Sequence, residues 1–175
     1  MTKKPYRKFN LESDSLEYEF DYNKDDTDDL HRELNFADSV SIDQIRKVAL
    51  WKYNRIISID DSLLEKLGKL SEENNLKITD PSVKEIIDEM VGSRGIGFPL
   101  ASAVLKFLNP NVFPIIDVRA YRALTGKKPN SQTYTYKKYI DYALALMNIA
   151  KTTNKKLREI DEQLYCFDEK MNGKI

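Results

Sequence analysis

The chain has 175 residues, and its 28 basic and 28 acidic side chains cancel to a net charge of zero. That length buries a core without disulfide or metal staples, and 41% apolar with 32% charged residues is an ordinary balance for a water-soluble protein. No apolar run approaches a membrane span, and no hydrophobic stretch follows Met1–Pro5 to serve as a signal peptide. The lone cysteine, Cys166, rules out an internal disulfide and a four-cysteine cluster, so a cytoplasmic setting is the expectation.

Charge is unevenly placed. Residues 1–10 hold four basic residues and no acid, whereas residues 11–38 hold eleven acids against Lys24 and Arg32. From Ser39 onward basic residues outnumber acids, 22 to 17. Within residues 1–38 no helical period is sustained, and Leu16–Tyr22 alternates apolar with acidic side chains as a short edge strand does. This part reads as a partly ordered acidic arm, either a solubilising tail or a cover for the basic face of a helical domain over 39–175. His31, inside the arm, has no partner pattern that assigns it a role.

That domain reads as helices throughout. Ser41-Ile-Asp-Gln44 is a capping-box pattern, and Ile42, Ile45, Val48, Ala49 and Ile56 follow at helical spacing. Asp60-Asp61 opens a second helix with Leu63, Leu64, Leu67 and Leu70 inward. Asp80-Pro81 opens a third, Asp as cap and Pro in the first turn. Beyond the turn-rich 126–133, residues 136–150 are apolar on most sides and read as an interior helix. The last helix shows Leu157, Ile160, Leu164, Phe167 and Met171 in one stripe, with Cys166 beside it as a packing residue.

The stretch with most chemical content is Ser93–Leu124. Gly95-Ile96-Gly97 separates the amphipathic Val83–Val91 from an almost wholly apolar segment. Two glycines so close permit positive φ and leave backbone N–H groups uncovered at the start of the next helix. Such an N-terminus attracts a phosphate, and Pro99 fits its first turn. Asp117 then stands where it can cap a helix over 118–125, which Gly126 ends.

These residues resemble the helix-hairpin-helix DNA glycosylase superfamily of endonuclease III and adenine-DNA glycosylase. There an apolar–Gly–apolar–Gly hairpin binds a DNA phosphate, and an aspartate in an apolar context about twenty residues later serves N-glycosidic bond cleavage. The resemblance rests on Gly95-Ile96-Gly97 and Ile115-Ile116-Asp117. It implies a compact all-α, HhH-GPD-like bundle that binds duplex DNA, and base-excision chemistry with Asp117 catalytic. Where lyase members carry a Schiff-base lysine, this chain has Pro99, so the implied activity is monofunctional excision of a flipped base. The alternative is a non-catalytic DNA-binding or partner-binding module of the same fold. No iron–sulfur cluster is possible with one cysteine; the resemblance leaves room for a monovalent cation on the hairpin carbonyls.

Candidate phosphate contacts surround the hairpin in sequence: Arg94 and Phe98 flank the glycines, with Ile96 between them. Lys52 and Arg55, on an otherwise apolar helix, either carry their charges out to solvent or line a cleft, with Trp51 packed or stacked beside an extruded base. Arg119 and Arg122 share a helix face and, with Lys127, Lys128, Lys137 and Lys138, make the densest basic run. That run is either a solvated surface or a DNA-backbone patch. Tyr134, Tyr136, Tyr139 and Tyr142 read as core and rim ahead of a base-stacking platform. The chain is taken as a monomer, and no metal-ligand cluster is present.

Overall fold

The computed structural model describes residues 6–20, 24–35, 37–52, 57, 59–72, 75–129 and 134–175, leaving aside the side chains of residues 24–26 and 72. Among them are eight helices and no strand: α1 (Lys24–Leu34), α2 (Ile42–Lys52), α3 (Asp61–Glu72), α4 (Pro81–Gly92), α5 (Phe98–Leu108), α6 (Val118–Thr125), α7 (Tyr136–Thr153) and α8 (Leu157–Asn172). The all-helical reading holds. Chain contacts divide the molecule into residues 22–115 and a second unit made of residues 1–21 with 116–175.

In the first of these, α5 is the axis. Every residue from Leu100 to Leu108 is buried, Ser102 and Lys106 included, because α1, α2, α3 and α4 all pack against it. Local chemistry sets the starts of these helices. Ser41 and Gln44 exchange bonds as a capping box, Ser41 N donating to Gln44 Oε1 at 2.8 Å and Gln44 N to Ser41 Oγ at 3.3 Å. Asp60 Oδ1 accepts from Leu63 N at 2.8 Å and so caps α3. At α4 the expected cap is replaced: Asp80 turns its carboxylate back to Lys77 N at 2.8 Å, and Pro81 alone marks the start.

Residues 24–34, read from the sequence as part of an acidic arm, form α1 and bury Thr27, Leu30, His31 and Leu34. Those four positions step by three and four residues, one helix face in which a hydroxyl and an imidazole stand among the apolar residues. His31 lies on Phe107, ring centroids 4.5 Å apart. Trp51 meets the same phenylalanine edge-on at 5.4 Å and donates from Nε1 to Thr27 Oγ1 at 3.2 Å.

In the other unit α6 and α7 pack on α8, whose inward face is Leu157, Ile160, Leu164 and Phe167. Met171, expected on that stripe, is exposed. Residues 6–20 complete this unit. Residues 14–20 form no regular element and pair with no strand among the described residues; residues 21 and 22 of the expected edge strand lie outside them. Several backbone groups of residues 6–20 are held by side chains of α8. Asn172 accepts from Arg7 N at 2.9 Å and donates to Arg7 O at 3.2 Å, and Gln163 bonds Tyr18 N and Tyr18 O in the same two-way manner. Phe9 and Leu16 are buried, Phe9 edge-on to Phe167 at 5.4 Å.

Candidate nucleic-acid interface

The turn between α4 and α5 is built by its backbone. Ser93 N returns to Met90 O at 3.1 Å and Ser93 Oγ bonds Glu89 O at 2.9 Å, ending α4. Ile96 N closes on Ser93 O at 3.2 Å, and Ile96 is buried as the anchor of the turn. Gly95 takes φ 84°, the left-handed region that a side chain disfavours. Gly97 does not: at φ −107° and ψ 174° it is extended backbone that any residue adopts. A Cβ on Gly97 would meet Pro99 Cδ at an ordinary 3.9 Å. Neither backbone nor space inside the protein therefore demands glycine at 97. Its bareness leaves α5 without a side-chain cap over its first amides.

Around this turn Arg94 is exposed and Phe98 half-buried. On α2, Lys52 is half-buried with Nζ 5.6 Å from the Trp51 ring, so its charge rests on an aromatic face. Trp51 is fixed between Thr27 and Phe107 and belongs to packing. Arg55 lies outside the described residues.

In the other unit Asp117 is the N-cap of α6, Oδ1 accepting from Ala120 N at 2.8 Å, and it is half-buried. The helix ends on Gly126 at φ 72°. Tyr121, one turn after Asp117, stacks on buried Tyr142 at 6.2 Å and meets Tyr134 edge-on at 6.5 Å. Burial raises the Tyr142 hydroxyl well above the usual phenol range; the charges of Asp161 and Asp117 push the same way, which brings Asp117 within electrostatic reach of this ring.

The two arginines of α6 are not surface groups. Arg122 is completely buried, Nε and Nη2 bonding the two oxygens of Asp168 at 2.6 and 2.5 Å, with Tyr6 packed over the guanidinium at 4.3 Å. Its hydrogen bonds and ion pairing with Asp168 hold it still more firmly protonated than usual. Arg119 reaches Asp168 at 3.4 Å, Gly173 O at 2.9 Å and Glu169 at 3.5 Å, and lies over the Tyr165 ring. As phosphate contacts both are withdrawn, because reaching outward would strand a buried Asp168. Of the basic run, Lys127, Lys128 and Lys138 stay exposed, and Lys137 is exposed while paired to Asp141 at 2.8 Å.

Sequence reasoning overlooked Asp168. The available signal was that α6 places Arg119 and Arg122 beside Ala120 and Ala123 on its inward face, while α8 carries Asp161 and Asp168 among its inward residues. Charges on the buried faces of two helices need each other. Among the described residues no group of histidine, cysteine and carboxylate side chains is arranged to hold a metal ion, and no helix is long and apolar enough to cross a membrane. In comparisons with known proteins, no family model matches the chain, and neither a curated protein nor a solved structure does.

Proposed function

We propose that the protein binds duplex DNA through its backbone and acts as a monofunctional DNA N-glycosylase of the helix-hairpin-helix type. The observation that carries this reading is the bare start of α5, where the N-cap Gly97 leaves the first amides without a side-chain cap and a Cβ there would meet only Pro99 Cδ among the described residues. Amides at a helix N-terminus suit a phosphate, and a contact of that kind positions DNA without reading its sequence. Arg94 and Lys52 supply further backbone contacts. Asp117 is assigned the chemistry: an ionised carboxylate stabilises the oxocarbenium-like sugar as the base departs and can orient the attacking water. Its bond to Ala120 N fixes one oxygen and leaves the other for that task.

A second reading is favoured by Asp117 already serving as a cap and by Arg119 and Arg122 being engaged internally. In it the chain is a non-catalytic DNA-binding or partner-binding module. One experiment separates the two. A panel of duplexes carrying damaged, deaminated or alkylated bases is incubated with the wild type and with Asp117→Asn, and free base is measured. The enzyme reading expects release from at least one duplex, abolished by Asp117→Asn with duplex affinity retained. Binding with no release from any duplex leaves the module reading, and absence of salt-dependent duplex binding ends both.

A further inference from the structure

We infer that Lys8, Lys127 and Lys128 form one phosphate-binding surface, which grips the backbone of duplex DNA a few nucleotides away from the one presented to Asp117. This rests on the duplex-binding reading and supplies a surface that Arg119 and Arg122 do not. The bond from Phe9 N to Ala123 O draws the N-terminal segment against the last turn of α6. Gly126 ends that helix at φ 72°, and a Cβ built on it would stand 3.4 Å from Lys8 Cβ and 3.7 Å from Tyr6 O. Lys127 and Lys128 follow at once, so the stems of all three lysines root at one glycine corner, and all three are exposed. Stretches far apart in the chain thus concentrate a positive charge that neither carries alone.

Elsewhere on the surface Lys47 pairs with Glu33, Lys66 with Glu85 and Glu89, and Lys137 with Asp141. At the corner, none of Lys8, Lys127 and Lys128 has an ion-pair partner among the described residues, and Asp14, on the same segment as Lys8, is taken by Arg7. The stretches next in sequence, 1–5 and 130–133, contain no acid. Lysines behind a helix C-terminus suit its dipole, and that accounts for Lys127 and Lys128 alone. Lys8 comes from another segment and adds a third like charge, whose repulsion a phosphate relieves. An ammonium on a flexible stem meets phosphate as a point charge and reads no sequence. Since α6 holds 8 residues, the corner lies about 12 Å along its axis from the Asp117 cap, roughly three to four base pairs at the rise of one DNA strand.

The test is the salt dependence of binding to a labelled, undamaged duplex, read by fluorescence anisotropy on the full chain. Lys8→Gln, Lys127→Gln and Lys128→Gln are combined in one variant, whose fold is checked by circular dichroism. Its slope of log affinity against log salt is expected to be shallower than the wild type's by about 2–3, with affinity at low salt roughly tenfold weaker or more. Arginine at the same three positions keeps the charge and should keep the slope. A control removes as much charge from exposed lysines elsewhere, Lys69→Gln, Lys151→Gln and Lys174→Gln, and should change the slope by less than about half as much. Should the triple glutamine variant not fold, Lys127→Gln with Lys128→Gln is read in the same way, with an expected change of about 1–2. A wild-type slope in the glutamine variant overturns the proposal, as does an equal loss in the control or a lost slope with arginine. In each of those cases the wild type still binds duplex, so the reading of the α5 N-terminus survives. No salt-dependent duplex binding by the wild type ends that reading and this surface together.

Discussion

Arg122 of α6 and Asp168 of α8 form a two-point ion pair, 2.6 and 2.5 Å, in which neither side chain has any exposure to solvent. Asp168 also accepts from Asn172 Nδ2 at 2.8 Å, and Asn172 in turn holds the backbone of Arg7. One carboxylate therefore ties α6, α8 and the N-terminal segment together. Removing Arg122 leaves Asp168 buried with weaker partners, so Arg122→Met is expected to cost about 3–5 kcal/mol in chemical denaturation. Arg119→Met, at the rim with 11% of its side chain exposed, is expected to cost well under half of that. Equal losses at the two positions would contradict the network described.

The two glycines of the α4–α5 turn should separate stability from binding. Gly95→Ala forces a side chain into the left-handed region at φ 84° and is expected to lose about 1–2 kcal/mol. Gly97→Ala has ordinary dihedrals and room for its Cβ, so it should cost no more than about 1 kcal/mol, the preference of an N-cap for glycine over alanine. Under the proposed function the added methyl nonetheless reduces duplex affinity, measured by fluorescence anisotropy at low salt. Unchanged affinity for Gly97→Ala would remove the α5 N-terminus from the interface.

At Asp117 the cap and the chemistry predict different rankings. Asn caps about as well as Asp, whereas Ala loses the bond to Ala120 N and about 1 kcal/mol. Thermal or denaturant stability should therefore order wild type and Asn together, above Ala. Base release, if the glycosylase reading is right, should group Asn with Ala, both inactive.

Stability should fall at both ends of the pH scale for separate reasons. Burial opposes the charged form of Asp14, but the hydrogen bonds from Arg7 and Asn10 N, with the Arg7 charge, outweigh it and hold the carboxyl below its ordinary 3.8. A depressed carboxyl contributes fully above its unfolded value and loses that contribution as pH falls through the folded one. Acid should therefore release residues 6–20 first, seen as faster amide exchange at Phe9, and Asp14→Asn should flatten that response.

On the alkaline side, burial and then the Asp161 charge push the Tyr139 hydroxyl well above 10.0, and burial with neighbouring acids does the same at Tyr142. The unfolded chain ionises these groups near 10 while the folded one does not. Stability is whole below that pH and declines above it. Tyrosinate absorbance should show Tyr139 and Tyr142 titrating only as the protein unfolds.

What local residues dictate was legible in the chain itself. The Ser41–Gln44 box, Pro81, the Asp117 cap and the Gly126 stop all act within a few residues, so the pattern carries the geometry. The apolar stripe of α8 and the almost wholly apolar α5 likewise announce buried helices. Of the candidate site, the turn at Gly95 and the cap at Asp117 were readable for the same reason. The fate of a charge was not. Arg119 and Arg122 look like a basic surface until α8 brings Asp168 against them across 49 and 46 positions of sequence. Likewise α1 hides its inward face because Thr27 and His31 count as polar until Trp51 and Phe107 cover them. Propensity, caps and periodicity are properties of neighbours along the chain, whereas the burial of a polar group depends on a partner that only folding delivers.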